Sequence, residues 1–132
     1  MEPRTITILS LIDVVGALAS DSMQKNLYLF DDNKSNGSTN LGTGVLKTKV
    51  QAGDKLIWTL MALEPEAYAQ LYKIEMDSTV CKLEQKKYPQ SDVIYWEGHV
   101  LKEVTSTPYK ITFEVGTQKQ QIETLDLPSL IG

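Results

Sequence analysis

From residue 5 to 15 the chain reads TITILSLIDVV, and its apolar positions recur with a period of two. Ile6, Ile8, Ile12 and Val14 fall on one side, and Leu9, Leu11 and Val15 on the other. β-branched side chains dominate, as a pleated surface prefers. Apolar residues on both faces predict a central strand rather than an edge. A rival reading takes residues 5–20 as an export signal, because they follow Arg4 and end in the small-residue triplet Ala17-Leu18-Ala19. A signal core needs about 7–15 uninterrupted apolar residues behind a positive start. Here Ser10 interrupts the run, Asp13 lies deep inside it, and Glu2 offsets Arg4. The strand reading is preferred, and with it a cytoplasmic location. Asp13 then needs a partner, a metal or an exit to water, since an unpaired buried carboxylate is costly.

The same alternation predicts strands at residues 26–30, 45–50, 55–63, 67–76, 93–101, 109–115 and 120–127. VLKTKV and KLIWTL flank the turn Ala52-Gly53-Asp54, which predicts a hairpin. Gly98 is expected to form a bulge, residues 81–89 a polar surface crossing, and residues 103–108 a turn. About eight short strands with turn signals every 8–12 residues predict one all-β domain over residues 1–132. The expected architecture is an antiparallel β-sandwich, jelly-roll or immunoglobulin-like.

Charge and composition narrow the function classes. The 132 residues carry a net charge of −4 and only one arginine, Arg4. Phosphate recognition needs a basic surface, so nucleic acid is an unexpected partner. No apolar run reaches about 18 residues, so no membrane-spanning helix is expected. Cys81 is the single cysteine, which allows no intrachain disulfide and fits a reducing compartment.

Candidate chemistry concentrates in the loop DDNKSNGSTNLGTG, residues 31–44. Asp31, Asp32 and Asn33 offer the oxygen ligands that calcium takes. The EF-hand spacing fails, because Lys34 occupies a ligand position and Thr43 stands where a closing Glu is required. The alternative is a solvated loop whose Asx side chains cap their own backbone. Tyr95 and Trp96 are adjacent, so in a strand they face opposite sides. An exposed Trp96 beside Asp31, Asp32, Asn33, Asn36 and Asn40 would suit a lectin-like module, with stacking, hydrogen bonds and assisting calcium. Catalysis has weaker support. His99 is the only histidine, no GxSxG elbow exists, and Asp13, Glu64 and Glu66 have no identifiable partner. A non-enzyme without a dedicated cofactor is expected.

Several segments together resemble the bacterial AidA/PixA inclusion-body protein family. They are Ile12-Asp13 at the end of the first strand, Gly42-Thr43-Gly44-Val45-Leu46 as a G-T-x-x-L segment, and Val50-Gln51-Ala52-Gly53-Asp54 as a V-x-x-G-D turn. Asp126-Leu127-Pro128-Ser129-Leu130 stands where the family closes with D-P-x-I-x. The resemblance implies an all-β cytoplasmic protein that accumulates in bacterial cells and self-associates. It brings no catalytic residues. A homo-oligomer is expected, with a glycan or a host protein as further partners.

Overall fold

The computed structural model describes residues 3–132; Glu2, invoked above as the charge offsetting Arg4, lies outside them. The elements are β1 (Thr5–Ile12), α1 (Val14–Ser20), β2 (Leu27–Asp31), β3 (Lys47–Lys49), β4 (Lys55–Ala62), β5 (Ala69–Glu75), β6 (Cys81–Lys87), β7 (Ile94–Val100), β8 (Ser106–Pro108), β9 (Lys110–Val115), β10 (Gln120–Glu123) and β11 (Ser129–Ile131). They form a five-stranded sheet ordered β2-β1-β4-β7-β6 and two three-stranded sheets, β10-β9-β5 and β3-β11-β8.

The first strand is central, as its two apolar faces require, lying between β2 and β4. It ends at Ile12, earlier than its alternation suggests. Asp13 accepts the Gly16 N–H at 2.9 Å and so caps α1, which takes Val14 and Val15 out of the strand. Residues 5–20 are therefore a strand and a short helix of the folded domain.

The expected all-β class holds, since the chain is mainly strand with one short helix, while the expectation of about eight strands in purely antiparallel pairing is corrected. Among the described residues there are eleven strands in three sheets, and β1–β4 and β3–β11 pair in parallel. The expected hairpin across Ala52-Gly53-Asp54 does not form, because β3 and β4 belong to different sheets. The turn itself is real: Gly53 holds φ +93° and Asp54 is buried. Asp54 accepts from Arg4 N at 3.0 Å, Arg4 Nη2 at 3.1 Å and Gln51 N at 3.0 Å. The chain is thus turned away from β3 and clamped against the residue that precedes β1. Residues 81–87 are a strand rather than a surface crossing, and residues 106–108 a short strand rather than part of a turn. Gly98 forms no bulge; its register with Leu56 and Leu83 is continuous. The register shift lies in β5, between Leu71 and Lys73.

The inner face of the large sheet supplies Ile6, Ile8, Ile12, Leu29, Leu56 and Trp58 to a core shared with Leu71, Ile111, Phe113 and Leu130 from the smaller sheets. The Trp58 ring meets the buried Tyr109 ring edge-on at 5.6 Å, and its N–H donates to the Tyr109 hydroxyl at 3.3 Å. β5 lies against β4 and β7. Its bonds across that corner come from side chains: Trp96 Nε1 donates to Leu71 O at 2.9 Å, Gln85 Nε2 to Tyr72 O at 3.4 Å, and Ile94 N to Gln70 Oε1 at 3.0 Å.

Candidate functional site

The loop over residues 31–44 turns its polar side chains onto itself. Asp31 accepts from Asn33 N at 2.9 Å and from Thr48 Oγ1 at 2.8 Å. Asp32 accepts from Thr7 N at 3.0 Å. Asn33 is buried; it donates to Lys49 O at 2.6 Å and accepts from Arg4 Nη1 and Asn36 Nδ2, each at 3.1 Å. Asn40 holds φ +61° and donates to Val45 O at 3.3 Å. Asp31, Asp32 and Asn33 therefore serve three separate anchors. Among the described residues no group of three His, Cys, Asp or Glu side chains converges as a metal site would require.

Trp96 does not stand beside this loop as a free stacking platform. It is half-buried against the core, on the inner face opposite Trp58, with its N–H engaged by Leu71. Tyr95, on the other side, is half-buried and meets the Tyr88 ring at 4.5 Å. The structure does bring Asp13 and Glu64 together at α1. Glu64 accepts from Val14 N at 2.9 Å and Val15 N at 3.4 Å. The Gly16 N–H, and next the neighbouring Glu64 carboxyl, hold Asp13 below its ordinary value. Both carboxylates satisfy the helix's first N–H groups. Glu66 is exposed, and His99 stands exposed on β7 between Lys55 and Lys82. Cys81 is buried beside Trp58 and Gly98, and desolvation pushes its thiol up to about 11, far from a reactive thiolate.

Two surfaces remain that sequence patterning did not single out. The first is the outer face of the five-stranded sheet. Strand register sets Tyr28, Leu11 and Met61 in one row and Phe30, Leu9 and Thr59 in the next. Ile57 follows beside Thr7. Met61 is 57% exposed, and Leu63 (56%) and Val15 (62%) lie at the end of the face. The alternation that named Leu9 and Leu11 was the available signal, but only the register brings the rows together.

The second is an open groove of about 350 Å³ between residues 23–28, 42–45 and 124–126. Met23, Leu27, Tyr28, Val45 and Leu125 supply apolar wall. Gln24, Lys25 and Asp126 stand exposed at its rim. Their side-chain polar groups make no hydrogen bond or ion pair within the described chain. Gly42 turns the loop at φ +81°, its N–H donating to Leu29 O at 2.7 Å.

This arrangement of one five-stranded and two three-stranded sheets is one seen before. The crystal structure of an inclusion body protein, PixA, from Burkholderia cenocepacia J2315 matches with a TM-score of 0.72 over 100% of this chain and 97% of that one. At 16% identity the likeness is one of fold. The resemblance read from Ile12-Asp13, the G-T-x-x-L segment and the V-x-x-G-D turn is borne out at that level. The chain itself belongs to the family described as Domain of unknown function (DUF8788), whose model matches residues 4–121. No curated protein matches the sequence.

Proposed function

We propose that this protein works by binding copies of itself, in the cytoplasm and without catalysis, through the outer face of the five-stranded sheet. The observation that carries this reading is the pair of cross-strand rows, Tyr28-Leu11-Met61 and Phe30-Leu9-Thr59, in which Tyr28, Phe30 and Met61 are exposed and Leu9 and Leu11 half-buried between them. Strands about 4.8 Å apart make such a face flat enough to meet a second sheet at about 10 Å. A contiguous exposed apolar surface of this kind marks an interaction site. A self-complementary face suits a two-fold dimer, the commonest closed assembly. A stable one buries about 800 Å² on each partner. The fold's likeness to a protein titled an inclusion body protein supports self-association as the mode of action. The strand-plus-helix role of residues 5–20 speaks against their being a cleaved export signal, since cleavage after Ala19 would remove an interior strand of the large sheet.

Light-scattering mass across protein concentration tests the proposal. The mass should rise above that of the 14.8 kDa monomer and fall back in Met61→Lys. Leu101→Lys, at a residue 54% exposed beyond the far end of β7, should leave it unchanged. A mass that stays monomeric at every concentration, or that Met61→Lys does not lower, would sink the reading.

A further inference from the structure

The groove contains a glycine that the fold does not need. Gly44 holds no positive φ, and a Cβ built there would meet nothing nearer than Leu27 O at 4.0 Å. Gly42 differs, because its φ of +81° serves the turn. A glycine with no conformational or packing reason leaves room for something to approach the backbone. The cavity it helps keep open, at about 350 Å³, lies at the small end of ligand sites, which run about 300–1,000 Å³.

We propose that this groove binds a neutral polyhydroxylated ring, one hexose unit of a glycan. The wall of Met23, Leu27, Val45 and Leu125 offers an apolar surface, and the Tyr28 ring a face on which a sugar's C–H side can lie. The rim offers one cation, one amide and one carboxylate, Lys25, Gln24 and Asp126. None of these three side-chain termini bonds another described residue. Their charges cancel, so the rim selects neither an anion nor a cation. Hydroxyl groups suit it because each both donates and accepts: to Asp126, and from Lys25 and Gln24. Asp126 is the only carboxylate among the lining residues, so the binding requires no calcium. The loop residues Asp31, Asp32 and Asn33 take no part.

Amide chemical shifts of the full chain, titrated with methyl glycosides of glucose, galactose, mannose and N-acetylglucosamine to about 20 mM, test this, since single-ring ligands bind weakly. At least one should move the amides of Gly44, Val45 and Leu125, equally in calcium and in EDTA. Asp126→Asn should weaken binding about tenfold. Gly44→Phe should abolish it with the thermal midpoint unchanged, and Gly44→Ala, the milder variant, should weaken it. No response to any glycoside, a response that survives Gly44→Phe, or one dependent on calcium would overturn the proposal. So would an equal response to cyclohexanol, which has the ring without the hydroxyl array. Tyr28 belongs both to this groove and to the sheet face proposed for self-association, so the titration is repeated in Met61→Lys, where that face is broken, and its outcome there is distinguishable from that of the mass measurement.

Discussion

Gly98 illustrates how tightly a single residue can be specified by its neighbours. Its φ is not positive, so conformation does not require glycine. A Cβ there would sit 2.8 Å from both Trp58 Cζ3 and Cys81 Sγ, inside a core with no space to yield. Gly98→Ala should therefore destabilise the protein by about 1–3 kcal/mol, the range for overpacking a filled core, as read from the urea midpoint. An unchanged midpoint would show that Trp58 moves freely. Gly98 was legible in the sequence as a special position but not as a packing one, because the indole that covers it lies forty residues upstream. Asp54 has the same history. Its turn could be read locally, whereas its bonds to Arg4 depend on the fold. The segments that carried the family resemblance prove to be fold-building: Asp13 caps the helix, Gly42 and Gly53 turn the chain, and Asp54 clamps it.

Among the elements, β5 is held in an unusual way. Where a further strand would extend its sheet, the carbonyls of Leu71 and Tyr72 take hydrogen bonds from Trp96 and Gln85 of the five-stranded sheet. Trp96→Phe removes one of those donors and keeps most of the ring's contact. It should cost about 1 kcal/mol and speed amide exchange in β5 selectively. Uniform faster exchange across all strands would instead indicate a general loss of stability. The elements that alternation reveals include those with one clearly buried face, such as β4, where Leu56 and Trp58 are buried between half-buried neighbours. β6 escaped because CKLEQKK is an edge strand, and the lysines that hid it are the residues that blunt an edge against foreign pairing. The turn at Ala52-Gly53-Asp54 predicts a hairpin that does not form, because a tight turn specifies a change of direction, not which strand the chain then joins. The groove was invisible for a similar reason: its walls come from three segments that only the sheet order brings together. The loop over residues 31–44 was legible as a distinct feature, and its position explains its composition. It needs Asp and Asn to tie its own backbone to β1, β3 and Arg4.

Taken as a whole, the molecule has a stability that its charges confine to a definite pH window. Lys86, then Lys55, hold Glu97 below its ordinary 4.5; Lys110, then Lys73, do the same for Glu75. A carboxylate depressed in the folded state contributes stability above its unfolded value, and that contribution is lost as pH falls through the depressed one. At the other end, Glu97 raises Lys86 and Glu75 raises Lys110, while burial, then Glu114, raises Tyr68 above its ordinary 10.0. Those contributions are present below the unfolded values and lost as pH rises through the raised ones. Burial raises the Cys81 thiol from its ordinary 9.0 to about 11, so its contribution is the first lost on the alkaline side. The thermal midpoint should therefore stay level between about pH 5 and 8 and fall on both sides. Glu97→Gln should flatten the acid limb, and an acid limb identical to that of the parent protein would refute this assignment.

The parallel pairing of β1 with β4 also sets a timetable for synthesis. Thr5 must wait for Lys55 before it gains its partner, and Lys47 must wait for Ser129. At about 5–20 residues per second, the first interval lasts roughly 3–10 s on the ribosome and the second longer. Throughout the first interval TITILSLI, uncharged and rich in β-branched residues, has no more than β2 beside it. Such a segment pairs readily with its own kind on a neighbouring nascent chain. How densely ribosomes load this message thus bears on whether the chain meets β4 or a stranger first.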